Sequence, residues 1–293
     1  VRPALIPPVL ALAWGLNWPA VKTMLGHFQP FSARAVGLGA GALLLLALAA
    51  LRGRPLRLPR GDGPALWVGS LLTVAMFNTC TAFAQITTST SRAAVLTFTM
   101  PIQAAVLAWV FLGERPDRRS AWALALGAAG VAVLALPVLQ GVADGSASWG
   151  LALPVAAAFA WAAGTVATKR WPPTGDRIAL TAWQLLIGAA LCALAAALRG
   201  EALPTAWPPR LLVAMAWHVV IATAVAYVLW YQLLASASAT VSSLTTLAVP
   251  VVGVLGAMAL IGERPGGADW LGFALVLGGA AVMVLRLAPK PAR

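Results

Sequence analysis

Ten apolar runs divide this 293-residue chain, at about 3–25, 35–51, 64–86, 93–112, 121–138, 149–168, 178–198, 211–234, 239–261 and 268–285. Each meets or nearly meets the roughly 20 residues that an α-helix needs to cross a bilayer. The runs are too long and too continuous for buried strands. In lipid, every backbone N–H and C=O of such a run must be satisfied within the segment itself, and the helix does this. Hydrophobic residues make up 61% of the chain and charged residues 10%, against about half and a quarter in a soluble globular protein. The expected fold class is an all-α integral membrane protein with ten transmembrane helices, with the lipid bilayer as its surroundings.

The net charge of +12 does not make this a nucleic-acid binder. Lys and Arg occupy the gaps between apolar runs, and no basic face with interleaved aromatics is present. Ten spans place both termini on one side. That side collects Arg2, Arg52, Arg54, Arg57, Arg60, Arg115, Arg118, Arg119, Lys169, Arg170, Arg177, Arg286, Lys290 and Arg293, which is 14 cations. The other side receives six: Lys22, Arg34, Arg92, Arg199, Arg210 and Arg264. The positive-inside bias then puts both termini in the cytoplasm. Arg2 and the Ala11–Ala13 stretch mimic a cleavable signal. The run continues through Trp14, Trp18 and Val21, however, and is read as a true span. Cys80 and Cys192 both lie within apolar runs, define neither a disulfide framework nor a metal site, and are expected to pack.

The segment "GERPDRRSAW" at Gly113–Trp122 is echoed by "GERPGGADW" at Gly262–Trp270, 149 residues later. Pro101 and Pro250 are displaced by the same 149, and the pairs Trp14/Lys22 and Trp161/Lys169 by 147. "WALALGAAGVAVL" from Trp122 resembles "WLGFALVLGGAAVMVL" from Trp270. A constant offset of this kind predicts a duplicated five-span unit, residues 1–140 and 149–286, with a cytoplasmic tail at 287–293. Five is odd, so the second unit enters the membrane inverted. Inverted repeats rock against each other around a midplane site.

In each half a Pro-containing helix, a Gly-Glu-Arg-Pro loop and a Gly/Ala-rich final helix succeed one another. This pattern resembles the drug/metabolite transporter superfamily, and within it the EamA-type exporters. Pro101, Gly113–Pro116, Pro250, Gly262–Pro265, Trp14 and Trp161 carry the likeness, which covers essentially the whole chain. The resemblance implies a bacterial inner-membrane carrier that exports aromatic or neutral amino acids, or related small metabolites, by alternating access. None of these motifs is a substrate signature.

All eight carboxylates (Asp62, Glu114, Asp117, Asp144, Asp176, Glu201, Glu263 and Asp269) fall in expected loops. An ionisable group inside a membrane is costly and usually functional. The related small multidrug transporters use an intramembrane Glu for proton exchange, and this chain has none, so facilitated export is the simpler expectation. If protons are coupled, His218 is the candidate; the alternative is a hydrogen-bonded histidine near the outer interface. Two histidines and two cysteines make no zinc set, and Asp confined to loops makes no Ser-His-Asp set. An enzyme is not expected, nor are a cofactor or a metal.

Polar and aromatic residues within the spans remain. Trp14, Asn17 and Trp18 share one helix face, as do Asn78, Thr81 and Gln85. Thr97, Thr99 and Gln103 surround Pro101; Trp161, Thr165 and Thr168 form a stripe; Tyr227, Trp230 and Tyr231 cluster; Ser242, Ser243, Thr245 and Thr246 precede Pro250. The expected substrate cavity is lined by Trp14, Asn17, Asn78, Thr81, Gln85, Thr97, Gln103, Trp161, Thr165, Tyr227, Tyr231, Ser243 and Thr246. Interhelical hydrogen bonding is the alternative for the amides, and a lipid-facing position for Trp18 and Trp230. Pro101 and Pro250, read as mid-helix, would each break a backbone bond and supply a kink or gate. Lys22 and Lys169 end their helices, one toward each side, either snorkelling or attracting a substrate carboxylate at a mouth. The Gly/Ala-rich fifth and tenth spans suit close packing or a homodimer. A drug or cation exporter would need an anionic cavity, which this chain lacks. A structural or lipid-handling membrane protein is the rival outside transport.

Overall fold

The computed structural model describes residues 5–115, 117–140, 147–236 and 248–287. Among these, all regular structure is helical. The helices are α1 (Ile6–Gly15), α2 (Asn17–Leu25), α3 (Pro30–Leu51), α4 (Gly63–Val68), α5 (Phe77–Thr87), α6 (Thr90–Thr97), α7 (Met100–Leu112), α8 (Arg118–Gln140), α9 (Ala147–Arg170), α10 (Arg177–Leu198), α11 (Pro209–Ala216), α12 (Ala226–Ser236), α13 (Val249–Ile261) and α14 (Gly267–Leu287). Two π-helical segments, Gly69–Met76 and Trp217–Val225, join α4 to α5 and α11 to α12. Five stretches are long and apolar enough to cross a bilayer: Pro30–Leu51, Arg60–Thr87, Thr90–Leu112, Arg177–Leu198 and Pro209–Ala235.

Several long rods are interrupted, and the sequence explains where. Pro19 has no N–H to give the carbonyl of Gly15, so the rod α1–α2 bends at Leu16. The rod α6–α7 tightens at Phe98 and Thr99, whose N–H groups reach back only three residues, to Val95 and Leu96. Pro101 then stands in the first turn of α7, and Pro250 in the first turn of α13. This corrects the mid-helix reading: at those positions a helix N–H has no partner to lose. For Pro101 the interruption lies just before the proline. Both α7 and α13 end on a left-handed glycine, Gly113 at φ 71° and Gly262 at φ 73°. The Gly-Glu-Arg-Pro loops open with glycine because a Cβ is strained there.

Three of the loop carboxylates work as helix caps. Glu201 accepts from the backbone of Phe31 (3.4 Å) and Ser32 (2.7 Å) at the start of α3. Glu263, from the second repeated loop, accepts from Thr90 (2.8 Å) and Ser91 (3.0 Å) at the start of α6, and also from the Ser91 hydroxyl. Asp62 holds Thr174 and Gly175 ahead of α10, and Asp176 caps α10 through Ile178 and Ala179. Glu201, Glu263 and Asp176 satisfy orphan helix N–H groups and meet the positive end of a dipole, while Asp62 fixes the loop ahead of α10. Burial raises the Glu263 carboxyl, but the bonds from Ser91 and Thr90 more than offset it and hold the group below its ordinary range. Asp269 is one departure from the loop assignment, since it lies in the first turn of α14.

Pairing is regular. Helix α3 packs along α10, and α8 along α14; α9 crosses α5, α6 and α7, while α1 meets α12 and α13. The α8–α14 seam is close enough that a Cβ on Gly279 would fall 2.8 Å from the carbonyl oxygen of Ala123. The Gly/Ala pattern of these two helices thus serves packing within the chain. Much of the buried interior is alanine, whereas Leu51, Val110, Phe111, Trp122 and Val213 point outward. Small residues inside and large apolar ones outside suit a protein whose solvent is lipid.

Candidate functional site

The two π segments position the site. A π turn carries an extra residue and re-aims the helix beyond it, and such turns are common at functional sites. Phe77 and Asn78 stand just past the first, and Ala226 and Tyr227 just past the second. Asn78 Nδ2 donates to the Tyr227 hydroxyl at 2.9 Å across 149 residues of chain. Around this bond α1, α2, α3, α5, α6, α9, α12 and the start of α13 converge on a cavity. Of the expected lining residues, Trp14, Asn17, Asn78, Thr81, Gln85, Thr97, Trp161 and Tyr227 stand on its wall, and so does His218.

Aromatic rings form one side. Trp14 meets Trp161 edge to face with centroids 5.2 Å apart, Trp161 meets Phe77 at 4.7 Å and Trp230 at 5.2 Å, and Trp14 lies 6.2 Å from Tyr227. These separations suit quadrupolar packing. Trp230 is fully buried in this cluster and Trp18 stands on the cavity wall, so neither takes the lipid-facing alternative. Trp14 Nε1 donates to the Ala222 carbonyl at 3.0 Å, inside the second π segment. The opposing Trp161 Nε1, buried, has no protein partner among the described residues.

Polar groups form the other side, with Arg34 at their centre. Its side chain is only 3% exposed. Nε donates to the Asn78 carbonyl at 2.8 Å, and Nη2 to the Thr81 hydroxyl at 3.1 Å. Among the described residues no carboxylate is paired with it. The linear sequence places this residue in an outer connection, ahead of the 35–51 run. The structure corrects that placement, because α3 begins at Pro30 and Arg34 lies a full turn inside it. Proline at a helix start was the available signal. Close by, Asn17 Oδ1 accepts from His218 Nδ1 at 2.9 Å, leaving Nε2 as the imidazole acceptor. Neither that nitrogen nor Gln85 Oε1 has a protein partner among the described residues. His218 therefore lies in the cavity wall.

Other expected lining residues go elsewhere. Gln103 bridges Thr99 (3.0 Å) and the Val155 carbonyl (3.5 Å) between α7 and α9. Thr165 is buried in α9 but does not stand on the wall. Tyr231 and Lys169 line a separate cavity of about 190 Å³ with Thr168 and Arg177. Lys22 caps the C-terminal turn of α5 through the Gln85 carbonyl at 2.5 Å. Ser243 and Thr246 lie outside the described residues.

The central cavity has a volume of about 60 Å³. That is room for roughly two waters, well below the ~300–1,000 Å³ of ordinary small-molecule sites.

The EamA-like transporter family matches residues 7–136 and again 148–285. The chain belongs to the EamA-like transporter family. With it comes membership of the drug/metabolite transporter superfamily, and a multi-pass membrane transporter as its general role. It is similar to the uncharacterized transporter YvbV of Bacillus subtilis (strain 168), 26% identical over 89% of this chain and 85% of that one. It is also similar to the probable amino-acid metabolite efflux pump of Escherichia coli (strain K12), 28% identical over 95% of this chain and 93% of that one. A solved structure, described as the crystal structure of a protein, aligns with a TM-score of 0.74 at 22% identity, covering 98% of this chain and 99% of that one. That likeness concerns the fold alone.

Proposed function

We propose that this transporter exports amino acids, aromatic and neutral ones foremost, or closely related metabolites, across a bacterial inner membrane. In this reading ten spans form two inverted five-helix units, with both termini cytoplasmic, that rock about the central cavity. The observation that carries it is the meeting of matched positions there: Trp14 with Trp161, and Asn78 with Tyr227. These pairs are separated by 147 and 149 residues, the repeat offset itself. Elements that meet their own counterparts at a site surround a pseudo-twofold axis, and alternating access needs such a hinge. The twice-matching family supports the duplicated unit.

An aromatic wall faces an amide- and hydroxyl-rich one, which suits a small solute with a polar head and an apolar body. The naming of relatives in Escherichia coli and Salmonella typhimurium as probable amino-acid metabolite efflux pumps supports that choice. A cationic drug is disfavoured by the buried positive charge of Arg34. Transport runs down the substrate gradient, since among the described residues no carboxylate stands on the cavity wall to exchange a proton. Counterflow of labelled phenylalanine into proteoliposomes, with and without an imposed pH gradient, tests the reading. Uptake without a pH gradient is the expected result. If no amino acid moves in either condition, the substrate assignment is wrong.

A further inference from the structure

We propose that Arg34 is the carboxylate-binding residue of the cavity, so the substrates must carry a free carboxylate. This rests on the transporter reading and adds the recognition chemistry to it. A guanidinium within a span is expensive, and the common remedy is an acidic partner. Here α3 and α5 supply only neutral acceptors, the Asn78 carbonyl and the Thr81 hydroxyl. They hold the planar fork in one orientation without neutralising it. A fixed, desolvated fork is the geometry that selects carboxylates over other acceptors.

A second observation lies on the same face. Asn78, Thr81 and Gln85 are spaced i, i+3 and i+7 along α5. Two of them orient Arg34, while Gln85, one turn further, presents a buried Oε1 with no donor among the described residues. A buried acceptor left in this way costs about 1–3 kcal/mol, and a substrate ammonium is a donor of the right charge. The guanidinium and this oxygen together match the two ends of a zwitterionic head, leaving the Trp14–Trp161 wall for the side chain. The position matching Arg34 at the repeat offset is Thr181, whose hydroxyl is turned to the Arg177 carbonyl. The charge is thus present in one half only, and the site has a fixed polarity.

The test is ligand-induced thermal stabilisation of the full chain in nanodiscs, with matched acid and amide pairs. Phenylalanine is compared with phenylalaninamide, and 3-phenylpropionate with its amide. The acid of each pair is expected to bind about 10–100-fold more tightly than the amide, the usual worth of a charged hydrogen bond. Arg34→Lys should shrink that preference and Arg34→Gln abolish it. A purely structural Arg34, stapling α3 to α5, would change stability in the variants but not the acid-to-amide ratio. Equal binding of acid and amide by the wild type overturns the proposal, and so does a ratio that Arg34→Lys and Arg34→Gln leave unchanged. If 3-phenylpropionate binds in this way but phenylalanine does not, the carboxylate site stands and the amino-acid reading fails.

Discussion

Trp14 and Trp161, at matched positions in the two halves, meet edge to face at 5.2 Å, yet of the two only Trp14 has its indole N–H bonded to a described residue. The equivalence is geometric, and the asymmetry is chemical. Trp14 is tied to the second π segment through Ala222, while the buried Trp161 N–H has no partner among the described residues.

Trp161→Ala should therefore damage transport more than Trp14→Phe, which keeps an aromatic wall. We expect Trp161→Ala to lower phenylalanine counterflow at least about tenfold, since Trp→Ala in a packed interior forfeits roughly 3–5 kcal/mol of contacts. Size-exclusion profiles establish that the variant is folded. Unaltered counterflow in a folded Trp161→Ala protein would remove the aromatic wall from the mechanism.

Gly37 lies against the His218 ring, where an added Cβ would stand 2.6 Å from Nε2. Gly39, off that face, meets only Ala189 at 3.6 Å. Gly37→Ala should cost about 1–3 kcal/mol by overpacking. Gly39→Ala should be neutral or slightly stabilising, because alanine favours the helix. Detergent-phase melting temperatures compare the two, and equal values would mean that His218 moves aside freely.

Glu263→Gln should weaken the α6 cap by about 1 kcal/mol and flatten the acid limb of stability. The native carboxyl is held below its usual value of 4.5. Its contribution is thus complete above that value and is lost as the pH falls through the depressed native one. Melting curves followed from neutral pH to well below the ordinary carboxylate range should fall for the wild type and fall less for the variant.

Asp176 and Arg54 form an ion pair at 2.7 Å, with the arginine about half exposed. Arg54→Ala should cost well under about 1 kcal/mol, as surface pairs do. Asp176→Ala should cost more, because it also removes the cap from Ile178 and Ala179. Similar losses in chemical denaturation would show that the pair, not the cap, matters.

The all-helical class, the repeated loops and the aromatic–amide stripes were legible in the linear chain, whereas helix starts were not: α3 and α6 begin several residues before their apolar runs. A bilayer acts locally: it asks each segment to be long, apolar and self-satisfied, and that demand is written residue by residue. Helical spacing likewise put Asn78, Thr81 and Gln85 on one face before any partner was known. Arg34 was not legible, because the apolar run ended at its charge while the helix did not. The start of α3 is capped by Glu201 from about 170 residues away, a relation that no window of sequence contains. The same holds for Gln103, drawn off to Val155, and for Tyr231, turned into a second cavity. By itself the sequence determined the all-helical class, the apolar character of the long segments and which faces carry polar groups. Only the tertiary structure decided which of those groups meet, because a buried polar atom takes its partner from whichever helix packs beside it.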